Sequence, residues 1–136
     1  MTLTDAGPLI ALVDRGDANH DRCMETLKQL PFASFVTTWP CLTEAMHLLG
    51  KSGGPRYQAD LWKTWQEGRL ILRDLTTAET GRVRDLMAQY SDVPMDLADA
   101  SIVAVAESDG YTKVFSIDTD FRFYRLANGH FLEVVP

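Results

Sequence analysis

The stretch Met95-Asp96-Leu97-Ala98-Asp99-Ala100-Ser101-Ile102-Val103-Ala104-Val105-Ala106-Glu107 limits what this chain can fold into more than any other. Pro94 stands just before it and Gly110 just after it, which predicts a helix between them. At 100° per residue its apolar side chains point in nearly every direction, and a helix that is apolar all round is buried. Yet Asp96 and Asp99, spaced i and i+3, share one side of the first turn. Carboxylates are rarely placed in a core without a partner. One reading is capping, with Asp96 as N-cap and Asp99 at N3, where both suit the helix dipole. The other is that an acid here helps to hold a divalent cation. The choice depends on whether other acids reach the same place.

With 136 residues the chain is expected to form a single domain, residues 1–136, large enough for a real core. It is 46% hydrophobic and 24% charged, an ordinary globular balance. No apolar run approaches a membrane span, and the first residues lack a basic segment of the kind that opens a signal peptide. The expectation is a cytoplasmic protein without membrane contact. Cys23 and Cys41 lack metal-ligand spacing and are expected to be reduced, packed thiols. A net charge of −6 argues against gripping nucleic acid by bulk charge. It does not exclude a nuclease, whose clustered acids make the count negative.

From the start, Thr2-Leu3-Thr4 is a short candidate strand ending at Asp5, and Gly7-Pro8 opens a helix over Leu9 to Val13. Asn19 is placed to cap a second helix bearing Cys23, Met24, Leu27 and Leu30. Phe32 to Thr38 reads as a strand, and Thr38 and Pro40 start a helix that carries Glu44 about one turn in. Ser52-Gly53-Gly54-Pro55 breaks the chain before a helix holding Leu61, Trp62 and Trp65. Both tryptophans are expected in the core or on a dimer face. Leu70 to Leu72 is a strand, and Thr76 with Glu79 forms a capping-box pattern. Lys113 to Ile117 and Phe131 to Val135 are the last strands predicted. Strands alternating with helices imply a mostly parallel sheet covered on both faces.

In such a sheet, ligands sit beyond the carboxyl ends of the strands. Asp5 and Asp118 follow strands directly, Glu44 lies early in a helix after a strand, and Asp99 lies in the first turn of the buried helix. Four acids from four distant segments could therefore line one pocket. Left alone they would repel one another and raise their own pKa values, a conflict that a hard dication with oxygen ligands resolves. Each acid also has a local explanation: Asp5 as a cap, Asp118 as a turn residue in Ile117-Asp118-Thr119-Asp120, Glu44 as an exposed helix glutamate.

The order of these motifs resembles the PIN-domain ribonucleases, most closely the VapC-type toxins. That family opens with a strand and an Asp, matched by Leu3-Thr4-Asp5-Ala6-Gly7-Pro8-Leu9, and then places a Glu early in a helix, matched by Thr43-Glu44-Ala45. Its third acid begins an Asp-x-x-Ile-x-Ala-x-Ala helix, matched by Asp99 to Ala106, and its fourth lies in Asp-x-Asp-Phe, matched by Asp118-Thr119-Asp120-Phe121. The chain departs at Ala6, where many members have Thr or Ser, and its residues between Ser52 and Leu75 match no family motif.

The resemblance implies a PIN-like three-layer α/β/α sandwich around a mostly parallel sheet of four to five strands. It implies endonucleolytic cleavage of RNA with Mg²⁺ or Mn²⁺ held by Asp5, Glu44, Asp99 and Asp118, with Asp96 and Asp120 as accessories. In that scheme the cation activates a water and stabilises charge on the phosphoryl oxygens. Ser116 falls where members often have Thr or Ser beside the site. Lys51, Arg56, Arg122 and Arg125 are candidates to meet phosphates. A toxin of this kind would be restrained by an antitoxin protein that covers the acidic site, and a homodimer is expected.

Other patterns fail on their chemistry. Gly50-Lys51-Ser52 lacks the first glycine and the preceding strand of a phosphate loop, and Glu44-Ala45-Met46-His47 has no second copy for a diiron site. His20, His47 and His130 do not form a ligand set. Three alternatives remain: a catalytically silent RNA-binding or scaffold module of the same fold, a housekeeping nuclease, and a receiver-like phosphoacceptor domain. The last would need a lysine at a late strand end, whereas Lys113 starts its strand.

Overall fold

β1 (Thr2–Thr4) lies at the centre of a sheet whose strand order is β3-β2-β1-β4-β5. Its neighbours are β2 (Phe35–Thr38) on one side and β4 (Lys113–Phe115) on the other, with β3 (Leu70–Arg73) and β5 (Glu133–Val135) at the edges. All four pairings are parallel, in registers such as Leu3 with Val36 and Leu3 with Val114. Parallel strands cannot be joined by tight turns, so helices fill the connections and cover both faces. The computed structural model describes residues 1–30 and 34–136.

One face carries α1 (Ala6–Val13), α2 (His20–Gln29), α3 (Trp39–Gly53) and α4 (Pro55–Gln66). They bury Leu9, Leu42, Leu49 and Leu61 against Phe35, Leu70 and Phe115 of the sheet. The other face carries α5 (Thr77–Gln89) and α6 (Leu97–Asp109), packed on Leu3, Val36 and Val114. The alternation of Phe35 with Val36, and of Val114 with Phe115, sends successive side chains to opposite cores. The result is the expected α/β/α sandwich, with a sheet of five parallel strands among the described residues.

α6 is the helix that the sequence marks as buried. Residues Ala98 to Ala106 are all buried, and Gly110 ends the helix in the left-handed conformation (φ 75°). Leu97 departs from the expectation, because at the first helical position it lies outside the packed turns and is exposed. Asp96 is the N-cap, its Oδ1 accepting the Asp99 amide at 2.8 Å. Thr76 and Glu79 close their capping box on α5.

Several boundaries differ from the sequence reading. α1 starts at Ala6 rather than Leu9, since Gly7 and Pro8 fit a first turn. Asn19 makes no side-chain cap; instead the Asp17 carboxylate accepts the Asn19 amide. β2 covers only Phe35–Thr38 of the predicted strand, whose Phe32 and Ala33 lie outside the described residues. β4 ends at Phe115 because the Ser116 hydroxyl accepts the Asp118 amide and turns the chain out of the sheet. Phe131 leaves the last strand to bridge Arg125 in antiparallel fashion. The predicted loop after α3 shrinks to Gly54, whose positive φ of 70° joins two helices directly. Leu61, not the tryptophans, is the residue α4 buries; Trp62 and Trp65 stack edge to face in solvent, so neither belongs to the core. Among the described residues no helix is long and apolar enough to cross a membrane.

Candidate active site

The carboxyl ends of β1 and β4 and the amino end of α6 meet at one place. Asp5 leaves β1 with its amide still bonded to the Phe115 carbonyl of β4 (3.0 Å), so its backbone is tied to the middle of the sheet. Asp118 stands at the start of a short 3₁₀ turn (Thr119–Arg122) and accepts the Asp120 amide on Oδ1 at 2.9 Å. Asp99 occupies the first turn of α6. One carboxylate oxygen from each of Asp5, Asp99 and Asp118 lies within 4.8 Å of the other two.

Donors from the protein hold these carboxylates in place. Asp5 Oδ2 accepts the Ser116 hydroxyl at 3.2 Å, and Asp5 Oδ1 faces the Cys41 thiol at 3.6 Å. The same Ser116 oxygen accepts the Asp118 amide at 3.0 Å, so one buried hydroxyl links two of the acids. Asp99 Oδ2 accepts the Tyr124 phenol at 3.0 Å. Cys41 and Tyr124 are themselves buried. Burial and the neighbouring carboxylates push both groups well above their ordinary pKa values, which keeps each one a neutral donor.

The electrostatics are those of acids short of a counter-charge. Asp5 is 7% exposed and Asp99 is 5% exposed. Burial is the main cause that raises the Asp5 carboxyl above its ordinary value, with the Asp118 charge adding to it against the hydrogen bonds from Ala6 and Ser116. Asp99 is raised to about 8, first by burial and then by the charges of Asp96 and Asp5. Among the described residues no Lys or Arg forms an ion pair with any of the three. A donor set made only of carboxylate oxygens fits a hard dication and does not fit a soft metal.

The other residues singled out in the sequence fall around this triad. Glu44, on the exposed side of α3, does not join the three-oxygen cluster, but burial and then the Asp5, Asp96 and Asp118 charges raise its carboxyl. Asp96 is exposed beside the site with one oxygen engaged as a cap, and Asp120 lies in the 3₁₀ turn. Ser116 is buried between Asp5 and Asp118. Lys51 lies in the last turn of α3, Arg56 in the first turn of α4 and Arg122 ends the 3₁₀ turn; all three are exposed and without an ion pair among the described residues. Arg125 lies over the Phe131 ring at 5.2 Å. Lys113 starts β4 and pairs with Glu133, at the end of the strand opposite the acids, which removes the receiver-like arrangement. Cys41 and Tyr124 were not legible as site residues, since their contacts with Asp5 and Asp99 span 36 and 25 residues and carry no local pattern.

The PIN domain family model matches residues 2–128. The chain belongs to the PIN domain family. Among solved structures, this PIN domain is similar to the sarcin-ricin loop cleaving toxin VapC20 of Mycobacterium tuberculosis, at 20% identity, a TM-score of 0.83 and complete coverage of both chains. It is also similar to a chain of a VapBC2 complex from Rickettsia felis bound to promoter DNA (14% identity, TM-score 0.69, covering 99% of this chain and 98% of that one). A third likeness is to a toxin–antitoxin complex from Klebsiella pneumoniae (18% identity, TM-score 0.65, 88% of each chain). Comparison with curated proteins gives no match.

Proposed function

We propose that this PIN domain is a divalent-cation-dependent endoribonuclease and the toxin of a toxin–antitoxin pair, acting in the cytoplasm as one domain over residues 1–136. The observation that carries the reading is the uncompensated triad of buried Asp5 and Asp99 with half-buried Asp118, where the carboxyl ends of β1 and β4 meet the amino end of α6. A scaffold has no use for such a cluster, because burying like charges without a counter-ion destabilises the fold. Family membership and the likeness to VapC20, a toxin that cleaves the sarcin-ricin loop, support ribonuclease action. The likeness to two toxin–antitoxin assemblies supports an antitoxin as partner.

In this reading Asp5, Asp99 and Asp118 hold Mg²⁺ or Mn²⁺, with Asp96 and Asp120 as accessories. When bound, the cation supplies positive charge against the phosphate and lowers the pKa of water at the site. Glu44, at the exposed edge of the cluster with its carboxyl raised, orients the attacking water and takes its proton. Ser116 fixes Asp5 relative to Asp118, so the two strand-end acids keep their spacing as RNA arrives. Lys51, Arg56 and Arg122 meet flanking phosphates, and an antitoxin arginine offered to the triad would block the site. A homodimer is part of the proposal, with the exposed Trp62 and Trp65 of α4 as its face.

The test is purified protein against an RNA panel with Mg²⁺, Mn²⁺ or chelator, alongside Asp5→Asn. Cleavage that needs the cation and is lost in Asp5→Asn is expected, together with growth arrest on expression that the same substitution relieves. RNA left intact under every cation, or cut equally by the variant, overturns the reading.

A further inference from the structure

Beside the acidic triad lies an open cleft of about 470 Å³, lined by Trp39, Pro40, Thr43, Asp96, Leu97 and Ala98. Two large apolar side chains stand exposed along it, Trp39 at 47% and Leu97 at 51%. Each sits at the first position of a helix, Trp39 of α3 and Leu97 of α6, where its side chain lies outside the packed turns and is left to solvent. Trp39 is also held in place. Its indole N–H donates to Asp74 Oδ1 at 2.7 Å, so the ring is fixed on the surface before anything binds. A rigid, solvent-facing aromatic ring is the form that stacking surfaces for single-stranded nucleic acid take.

The cleft is continuous with the triad. The Ala98 carbonyl in its lining faces the Cys41 thiol at 3.7 Å, and that thiol reaches Asp5 Oδ1 at 3.6 Å. Asp96, also in its lining, is bonded to the amide of Asp99. A chain whose phosphate lay at the triad would therefore have its neighbouring group in this cleft. That group cannot be another phosphate, because the charged side chain lining the cleft is the Asp96 carboxylate and Asp74 lies on the indole. A neutral, planar, apolar-faced group fits, and on a nucleic acid that is the base.

We propose that Trp39 and Leu97 form a subsite for an unpaired nucleobase of the RNA, with Trp39 stacking on its face. The proposal rests on the ribonuclease reading and adds to it the preference for an unstacked nucleotide beside the cut. Stacking on an aromatic side chain contributes about 1–3 kcal/mol per base, so Trp39→Ala is expected to raise KM for single-stranded RNA roughly 5- to 150-fold. Since about half of the side chain is exposed, its replacement should leave the far-UV circular dichroism spectrum unchanged and lower Tm only slightly.

The experiment has two arms. In the first, cleavage kinetics of a short oligoribonucleotide are compared for the unsubstituted protein, Trp39→Ala, Trp39→Phe and Leu97→Asn. The expected order is a large KM increase for Trp39→Ala, partial recovery in Trp39→Phe and an intermediate effect for Leu97→Asn. In the second, the non-cleaving Asp5→Asn protein carries Trp62→Phe and Trp65→Phe, so that Trp39 is the only emitting indole, and its fluorescence is titrated with the same oligonucleotide. Quenching is expected, and an abasic residue at the cleavage position's neighbour should abolish it. Unchanged KM in Trp39→Ala with no quenching overturns the subsite while cleavage itself leaves the ribonuclease reading intact. A protein that neither cuts nor binds RNA overturns both. A change of oligomeric state in Trp39→Ala, by sedimentation, with RNA kinetics unaltered, overturns the subsite in favour of a second copy as occupant.

Discussion

The Tyr124 phenol donates to Asp99 Oδ2 across 3.0 Å, from a ring that packs edge to face against both Tyr90 and Phe121. The ring stacking leaves the hydroxyl one position, and that position fixes which Asp99 oxygen is tied to the protein and which is left for a ligand. Tyr124 is therefore a positioning residue, read from its contact and not from its type.

Removing that hydroxyl tests the arrangement with little loss of packing. Tyr124→Phe keeps the aromatic stack and deletes one hydrogen bond. Groups that orient a metal-binding side chain from behind are worth about 10- to 100-fold in affinity. Mn²⁺ affinity measured by calorimetry should fall by about tenfold or more in Tyr124→Phe, with a Tm close to that of the parent. Equal affinity in the two proteins would show that Asp99 needs no such support.

The raised Asp99 carboxyl makes a second expectation with a definite sign. Its ordinary pKa is 3.8 and its folded value is about 8, with burial the first cause. Between those values the folded state binds more protons than the unfolded one, so the ion-free protein loses stability as pH rises from about 4 to about 8. Asp99→Asn removes the charge that must be buried. Its ion-free Tm at pH 8 should exceed the parent's by roughly 5 °C, and the slope of Tm against pH should flatten. Added Mn²⁺ should stabilise the parent and leave the variant unmoved, because bound cation replaces the proton. A variant less stable than the parent at pH 8 in chelator would contradict the electrostatic account.

Some of this site could be read from the chain alone, and the reason is locality. A strand ending in Asp5, a first helical turn holding Asp99 and a turn holding Asp118 are each fixed by residues a few positions away, and the parallel topology brings them together. The layered sandwich was legible in the same way, from strands alternating with helices. The supporting donors were not legible. Cys41 reads as a packed thiol and Tyr124 as a core aromatic, and only the folded chain shows that each also faces a carboxylate. Glu44 is an intermediate case. Its sequence position suggests a place with the other acids, and the Asp5, Asp96 and Asp118 charges do act on it, although it is not one of the three whose oxygens lie within 4.8 Å of one another. The strand ends at Phe115 and Glu133 escaped for a third reason, since side-chain turns such as that of Ser116 compete with the ladder without changing the apolar pattern.

Away from the site, Arg73 at the end of β3 ties the sheet edge to two helices. Its guanidinium donates to both oxygens of Glu79 (2.7 and 3.0 Å), to Asp109 at the end of α6 and to the Asp74 carbonyl. Arg73 holds the Glu79 carboxyl down to about 2, from an ordinary 4.5. The stability this gives is present above about pH 4.5 and is lost as pH falls through about 2. Removing one partner of a fully buried pair costs about 3–5 kcal/mol, and Arg73 keeps a quarter of its side chain in water, so about 2 kcal/mol is expected for Arg73→Ala. Urea denaturation at pH 7 measures it. The difference between Arg73→Ala and the parent should shrink as pH is lowered from 5 towards 2.

Gly7 offers a last prediction, because it joins the two ends of the site through packing alone. A Cβ at this position would lie 2.6 Å from Ile117 Cγ1, closer than such atoms approach, and 3.0 Å from Ile117 Cδ1. Ile117 is the residue before Asp118, on the segment that Ser116 pins to Asp5. Gly7→Ala should therefore push Ile117 outward and carry Asp118 with it. A displacement near 1 Å at a reacting centre costs about a hundredfold in rate. RNA cleavage and Mn²⁺ affinity should both fall steeply in Gly7→Ala. Removing the obstacle in the double variant Gly7→Ala with Ile117→Ala, which lacks both Cγ1 and Cδ1, should recover a measurable part of both. A Gly7→Ala protein with normal cation affinity would show that the α1–Ile117 contact does not set the position of Asp118.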